Sequence, residues 1–492
     1  MYCHSILSFN MRVREGRVSK KTCSLFLRFR EINADFLRLF SLYRKNLTTT
    51  PAFSIISPIK GGICLINRKE YLDCLIRWRE LQLIKVITGV RRCGKSTLFS
   101  LYIDYLRKTG VTEEQIIFIN LEDVDNEHLL NYKTLHTYVK DRLCPDKYTY
   151  VFIDEVQNCL SYEKAIDSLF IKKNVDIYIT GSNAHMLSGE LATLLSGRYV
   201  EIRMLPLSFA EYLLFMGTGY RIEKPSANDS AQNDAFPHAD KLDIDFDFSH
   251  IRFLFANYLR YGSFPYIATL QNDEAIVRSY IDGIFNTVLV KDVASRLGIP
   301  DISVLENIVK FLSGNVGSPI SANKISEVIN QSGRKISVNT VDRYLRALTD
   351  SYLFYKVNRY DIKGKQILKT LGKYYIVDIG LRGMLVSSSS TDLGHLLENI
   401  VYLELIRRGC KVSIGKLAEK EVDFVADYAD GIAYYQISAS TLDENTLKRE
   451  LEPLRLISDN HPKFLLTLDD YLPNANYDGI RKMSVLYWLL NK

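Results

Sequence analysis

The sequence predicts an α/β fold built on a doubly wound parallel sheet, and three observations carry this prediction. A glycine-rich stretch, residues 89–97, directly follows a short apolar run and opens a helical pattern. Further apolar runs of strand length recur at 116–120, 148–154 and 175–180, separated by helical stretches. Such runs match strands that are covered by helices on both faces. The third observation is that the run 148–154 leads into the acidic pair Asp154-Glu155. This pair would lie at the carboxyl ends of the strands, where open α/β sheets bind ligands.

The glycine-rich stretch has the pattern of a phosphate-binding P-loop. Glycine at both ends of a four-residue span lets the backbone N–H groups point inward at a phosphate. We expect Lys95 to reach the β- and γ-phosphates and the Ser96 hydroxyl to bind Mg²⁺, at the positive end of the helix that follows. The residues expected to contact the nucleotide are Gly89, Val90, Arg91, Arg92, Cys93, Gly94, Lys95, Ser96 and Thr97.

The acidic pair Asp154-Glu155 has the form of a Walker B strand. Asp154 is expected to hold the Mg²⁺, and Glu155 to orient or deprotonate the attacking water. Where the next apolar run ends, the small polar residues Ser182 and Asn183 are placed to hydrogen-bond the γ-phosphate or the water. Together these residues predict a magnesium-dependent site for a nucleoside triphosphate.

Arg198 is a candidate arginine finger. Its guanidinium would stabilise the charge of the transition state, on the nucleotide of a neighbouring subunit in a homo-oligomer. The alternative is an ordinary surface charge, which is what a lone arginine usually is.

Composition narrows the class of protein. The net charge of +6 is concentrated in residues 1–60, which hold eleven lysines and arginines against three acids. That segment alone carries +8, so the remainder is about −2 and any DNA contact needs a local patch. The eight cysteines occur singly, and no apolar run is long enough to span a bilayer. These features predict a cytoplasmic protein without disulfides, a zinc site or a membrane partner.

Residues 301–380 have the order of a winged helix-turn-helix: helices, a turn through Gly333, a helix over 337–350, then two strands. In that last helix Val341, Leu345 and Leu348 share one face, which leaves Arg343 and Arg346 on the other. An exposed polar and basic face suits the major groove of double-stranded DNA. It also suits docking to a protein client, since winged helices serve both purposes.

At this point the chain resembles a known family, the bacterial and archaeal AAA-type ATPases of the AAA_14 group, whose C-terminal half is a conserved domain of unknown function. The stretches that carry the resemblance are VITGVRRCGKSTL, FIDEVQ, ITGSNAHMLSGELATLLSGRY, LPLSFAEYL, YLRYGSFP, LLENIVYLELIRRGCKVSIGK and KEVDFVA. The resemblance implies an ATP-binding core, a helical lid, a winged helix and a terminal domain similar to restriction endonucleases. It starts near residue 66, so residues 1–65 are interpreted as a basic extension.

The implied nuclease site is degenerate. Nucleases of this type use a helix Glu, an Asp at a strand end, and a Glu or Gln followed two residues later by Lys. Glu398, Asp423 and Gln436 match the acidic and amide positions, but Ser438 stands where the lysine is expected. Without a cation to activate water, the sequence predicts no phosphodiester cleavage.

These observations predict an ATPase that uses ATP and Mg²⁺ to drive a conformational change on a DNA or protein partner. The alternatives are a nucleotide-gated binding regulator with little turnover and, least favoured, a metal-dependent nuclease. The expected domains are a basic extension (1–65), an AAA-type core (66–220), an acidic polar insertion (221–250), a helical lid (251–300), a winged helix (301–380) and an inactive nuclease-like domain (381–492).

Overall fold

The computed structural model contains the predicted parallel sheet. Its strands are β1 (Ile84–Thr88), β2 (Ile116–Asn120), β3 (Thr149–Asp154), β4 (Val175–Gly181) and β5 (Tyr199–Arg203). They lie in the order β2-β3-β4-β1-β5, and every neighbouring pair is parallel. The predicted α/β fold class is confirmed, and β1 lies inside the sheet, where its end is flanked by β4 and β5.

The structure describes most of the chain beyond residue 67. The described residues are 68–184, 197–217, 248–270, 273–295, 297–299, 301–386, 393–469 and 474–491. The chain divides into two units, Met1–Gly62 and Ile63–Lys492, and all described residues belong to the second. The predicted basic extension and nearly all of the predicted acidic insertion lie outside the described residues.

Helices cover both faces of the parallel sheet. The helices of this part are α1 (Lys69–Arg77), α2 (Lys95–Lys108), α3 (Tyr132–Lys140) and α4 (Tyr162–Phe170). Alternate residues of each strand enter different cores: Phe152 of β3 packs with residues of α2, whereas Ile153 packs with residues of α3 and α4. This alternation follows from the two-residue period of a strand. It explains why the strands read as continuous apolar runs.

A helical segment joins the carboxyl end of the sheet to the rest of the chain. It comprises α5 (Phe209–Phe215), α6 (Phe248–Tyr261), α7 (Glu274–Thr287) and the π-helix Val288–Ser295 that directly follows α7. The Tyr258 hydroxyl donates to the carbonyl of Leu207 at 2.9 Å, and the Leu207 N–H donates to the carbonyl of Ser263 at 2.8 Å. We call α6, α7 and the π-helix the lid.

The next elements have the predicted helix-turn-helix order. They are α8 (Ile302–Gly314), β6 (Pro319–Ile320), α9 (Ala322–Gln331), α10 (Val338–Asp350), β7 (Phe354–Asp361) and β8 (Gln366–Ile376). Gly333 has a φ of +89°, which reverses the chain between α9 and α10. The Ser337 side chain caps α10 by accepting a hydrogen bond from the N–H of Thr340.

A second sheet of nine strands holds the C-terminal part together. Its remaining elements are α11 (Ile379–Leu385), α12 (Leu393–Arg407), β9 (Lys411–Leu417), β10 (Lys420–Tyr428), β11 (Gly431–Ser438), α13 (Glu444–Arg455), β12 (Lys463–Thr467), β13 (Ala475–Tyr477), β14 (Ile480–Ser484) and α14 (Val485–Leu490). The strand order is β13-β14-β12-β11-β10-β9-β7-β8-β6, in which β7 pairs parallel with β9. The strands after the helix-turn-helix are therefore continuous with the terminal sheet.

No helix in the described parts of the chain is long and apolar enough to cross a membrane.

Candidate nucleotide-binding site

The loop between β1 and α2 has a backbone that only glycine allows at its two ends. A Cβ on Gly89 would lie 2.2 Å from the carbonyl oxygen of Met204, which no rotation of a side chain relieves. Gly94 has a φ of +105° and immediately precedes the first residue of α2. The loop thus curls tightly in front of a helix N-terminus, as a phosphate cradle requires.

Lys95 begins α2 and points back into this loop. Its ammonium is buried, donates to the carbonyls of Gly89 at 3.1 Å and Val90 at 3.4 Å, and lies 3.5 Å from Glu155 Oε1. Burial by itself lowers the pKa of Lys95, but the surrounding Cys93, Glu155 and Asp154 raise it above its usual value. The side chain is therefore a buried cation at the mouth of the cradle.

The two acids at the end of β3 lie against the start of α2. The carboxylate of Asp154 is buried and accepts a hydrogen bond from the Thr180 hydroxyl, and the Ser96 hydroxyl lies near enough to lower its pKa. Burial nevertheless raises the pKa of Asp154 above its usual value. Hydroxyl and carboxylate oxygens are ligands that Mg²⁺ accepts, so Ser96 and Asp154 are suited to hold this ion together with phosphate oxygens.

Glu155 follows Asp154 in a left-handed backbone conformation, with a φ of 52°. The Thr180 hydroxyl accepts the Glu155 N–H at 2.9 Å and so fixes this turn. Burial raises the pKa of Glu155, but Lys95, Gln157 and Arg91 outweigh that effect and hold the pKa below its usual value. Glu155 is thus ionised at neutral pH and available to accept a proton. Thr180 lies on β4, and its position beside these acids depends on the pairing of β4 with β3.

A cavity of about 740 Å³ opens beside these acids. The predicted Ser182 and Asn183 line it, and both are buried. Gln157, which the sequence analysis missed, also lines it and donates from Nε2 to the Glu155 carboxylate. Its Oε1 atom is buried and has no hydrogen-bond partner within the part of the chain that the structure describes. A free acceptor next to Glu155 provides a place for a water molecule.

Arg198 lies at the amino ends of the strands, opposite the end that carries the P-loop. Its carbonyl accepts the N–H of Ile84, the first residue of β1, whereas the P-loop begins after the last residue of β1. Its guanidinium is half exposed and pairs with Asp167 at 2.6 Å. The chain does not bring Arg198 to its own nucleotide site, and action on a neighbouring subunit stays a prediction.

The exposed face of α10 has the predicted composition. Val341, Leu345 and Leu348 are buried, whereas Arg343 and Arg346 are exposed. Tyr344 is also buried, and the Arg343 guanidinium lies 5.7 Å from the centre of its ring. The structure thus presents both arginines on one solvent-facing surface.

The predicted nuclease-like residues lie in a largely buried cluster of polar and charged side chains, which we define as Lys373, Glu398, Glu421, Asp423 and Gln436. Lys373, on β8, donates to Glu398 at 2.9 Å and pairs with Glu421 at 2.7 Å. Lys373 brings a cation from a strand earlier in the chain, but both of these contacts are to carboxylates, so the absence of a water-activating cation stays a prediction. Ser438 instead hydrogen-bonds the carbonyl of Ser440.

Asp423 departs from its expected position at a strand end. It lies inside β10, where the pairing with β9 shifts register between Val422 and Val425, and it accepts the Ile437 N–H at 2.8 Å. Burial, and then the Glu398 carboxylate, raise the pKa of Asp423 well above its usual value. Gln436 donates to Glu450 at 2.9 Å. Among the described residues, no group of three or more His, Cys, Asp and Glu side chains could hold a metal ion.

The fold and the P-loop site together define an AAA-type P-loop protein, and residues 82–213 match the AAA domain family AAA_14. Residues 252–392 match a domain of unknown function, DUF8612. An uncharacterised protein of Haemophilus influenzae is 38% identical over 427 residues, which are 87% of this chain and 99% of the relative. An uncharacterised protein of Methanocaldococcus jannaschii is 31% identical over 418 residues, 82% of this chain and 84% of the relative. The chain therefore belongs to the family of proteins that join an AAA_14 domain to this C-terminal domain, as the resemblance predicted.

Solved structures match this chain at low identity and with TM-scores below 0.5. The Walker-type ATPase PABY2304 of Pyrococcus abyssi is 16% identical, with 65% of this chain and 96% of that chain covered and a TM-score of 0.43. The ORC1 protein of Aeropyrum pernix, solved in complex with DNA, is 13% identical, with coverages of 67% and 94% and a TM-score of 0.28.

Proposed function

We propose that this chain is an Mg²⁺-dependent ATPase that couples ATP hydrolysis to a conformational change acting on a partner. The observation that supports this most directly is the meeting of two distant motifs. Lys95 lies 3.5 Å from Glu155, and the Ser96 hydroxyl lies beside the Asp154 carboxylate, at the carboxyl end of a parallel sheet. A phosphate cradle, a cation, a metal-binding pair and a proton acceptor are thereby assembled in one place.

Each residue has a distinct role in this proposal. The loop N–H groups and Lys95 bind the β- and γ-phosphates, and Ser96 and Asp154 would hold a Mg²⁺ that would supply positive charge against the phosphate oxygens. The oxygen of a water molecule bonds to the γ-phosphorus while the bond to the bridging oxygen breaks. The electron pair leaves with ADP, and Glu155 takes the proton of the water.

Substitution of Lys95 by alanine is expected to weaken ATP binding. Loss of a hydrogen bond between charged partners costs about 1.5–3 kcal/mol, which corresponds to roughly a ten- to hundredfold weaker Kd. Calorimetric titration with ATP and Mg²⁺ measures this change. Lys108→Ala is the matched control, because Lys108 is exposed at the other end of the same helix. Equal affinities for Lys95→Ala and wild type would contradict the assigned role.

A nucleotide-gated binding regulator is the second candidate, and one set of contacts favours it. Thr88, the residue before the P-loop, donates to Glu201 at 2.6 Å, and the Tyr352 hydroxyl donates to the same oxygen at 3.2 Å. Tyr352 lies between α10 and β7 and has a φ of 57°. A change at the P-loop therefore has a short hydrogen-bonded path to the end of α10.

If α10 contacts double-stranded DNA, removing its two arginines should reduce the electrostatic part of binding. We expect Arg343→Ala with Arg346→Ala to lower the slope of log K against log salt by about two, one per lost phosphate contact. Fluorescence anisotropy with a DNA duplex at several salt concentrations measures this. Arg107→Ala with Lys108→Ala removes the same charge from an exposed part of α2. Equal losses in both double variants, or no DNA binding by the wild type, would favour a protein client for α10.

A further inference from the structure

The third residue of the P-loop, Arg91, connects this loop to the lid. Its Nε lies 3.0 and 2.9 Å from the two carboxylate oxygens of Asp292, and its Nη1 donates to Glu122 at 2.7 Å. The Arg91 side chain is 15% exposed and that of Asp292 is 8% exposed. Because this ion pair is largely removed from water, it is less screened than a surface pair.

Arg91 lies on the same side of the P-loop as the groups that act on the γ-phosphate. It lines the 740 Å³ cavity together with Gln157, Ser182 and Asn183. Its charge acts on both Glu155 and Lys95. Arg198, by contrast, lies at the amino ends of the strands, away from the P-loop.

Asp292 belongs to the π-helix of the lid, and its carboxylate opposes the guanidinium of Arg91. π-Helical turns inside helices occur frequently at functional sites. Glu122 opposes the same guanidinium from the loop after β2. The Arg91 guanidinium is therefore paired with two carboxylates of the protein itself. An incoming γ-phosphate must compete with these carboxylates for the guanidinium.

We propose that Arg91 is a cis-acting arginine for the γ-phosphate and that Asp292 holds it until a nucleoside triphosphate displaces the carboxylate. The inference rests on the proposed ATPase function. The guanidinium stabilises the charge that develops on the γ-phosphoryl oxygens, as an arginine finger does. Since Asp292 is part of the lid, release of Arg91 also removes this link between the lid and the P-loop. A nucleotide with a γ-phosphate is thereby distinguished from ADP.

The test compares affinities and rates in the full-length chain. Arg91→Ala should lower kcat about 10³-fold or more, the range found for arginine fingers. It should weaken binding of the non-hydrolysable β,γ-imido analogue of ATP about tenfold and leave the Kd for ADP unchanged. Arg91→Lys should not restore kcat, because an ammonium lacks the planar fork of a guanidinium. Asp292→Asn should tighten binding of the imido analogue several-fold with no change for ADP.

The outcomes distinguish the role of Arg91, the role of Asp292 and the proposed ATPase function. Equal weakening of ADP and imido-analogue binding by Arg91→Ala, or an unchanged kcat, overturns the role of Arg91. An unchanged ratio of imido-analogue to ADP affinity in Asp292→Asn overturns the holding role of the lid, even where the alanine variant fails to fold. If the wild type binds neither nucleotide, the proposed function itself fails. Arg107→Ala, an exposed arginine of α2, is the control and should match the wild type.

Discussion

Replacement of Glu155 by glutamine is expected to lower kcat for ATP hydrolysis by about 10²–10⁴-fold, the usual contribution of a positioned acid or base. Glutamine has the same shape and tolerates the left-handed φ of 52° as well as glutamate does, so the turn after β3 should persist. The Thr180 bond to the backbone N–H at this position is also retained. The negative charge and the ability to accept a proton are lost.

ATP binding should survive this substitution. The cradle and Lys95 are untouched, and removal of a carboxylate 3.5 Å from Lys95 leaves that ammonium more available to phosphate. Phosphate release at saturating ATP, together with calorimetric Kd values, separates the two effects. Glu127→Gln, at an exposed position, provides the control. A variant that hydrolyses ATP at the wild-type rate would remove Glu155 from the chemistry. The ATP-loaded variant would also serve to capture the partner.

Substitution of Lys373 by methionine is expected to lower the free energy of unfolding by about 3–5 kcal/mol, because it leaves a buried carboxylate without its cation. The Lys373 and Glu398 side chains are only 5% and 8% exposed. Burial lowers the pKa of Lys373, but Glu398, Asp423 and Glu421 raise it well above its usual value, so the lysine is charged in the folded protein. The Tyr375 hydroxyl would still donate to Glu398, yet a neutral hydroxyl does not replace the lost cation.

Denaturant unfolding of the variant, with Lys356→Met as the control, measures this loss. Lys356 is exposed on the neighbouring strand β7, so its replacement should cost little. A double variant that adds Glu398→Gln should be less destabilised than the sum of the two single variants, since the pair is removed together. An unfolding free energy for Lys373→Met within about 0.5 kcal/mol of the wild type would show that the cluster is not a structural ion pair.

The central residues of the candidate nucleotide site could be predicted because they lie close together in the sequence. Both glycines and Lys95 lie within seven consecutive positions, and Asp154-Glu155 ends a single apolar strand. Parallel pairing then fixes which ends of the strands meet, so Ser182 and Asn183 could also be placed. Gln157 was missed because its role depends on which way the chain turns after Glu155.

Residues brought together by long-range packing could not be found in this way. Arg91 and Asp292 are 201 positions apart, and their contact depends on how the lid packs on the P-loop. Lys373 was not found because its place beside Glu398 and Glu421 depends on β8 and β10 belonging to one sheet. The same sheet crosses the domain boundary expected near residue 380. Asp423 lies where the pairing of β10 with β9 shifts register, and no local sequence pattern predicts that shift.

The most direct test of the central claim is a single-turnover measurement of phosphate release. ATP labelled at the γ-position is mixed with an excess of the wild-type chain, in Mg²⁺ or in EDTA, and the released phosphate is followed over time. The proposed site predicts release with Mg²⁺, little release in EDTA, and loss of the Mg²⁺-dependent release in Lys95→Ala. Release that is unaffected by EDTA and by Lys95→Ala, or ATP that binds but stays intact in Mg²⁺, would contradict the proposed ATPase.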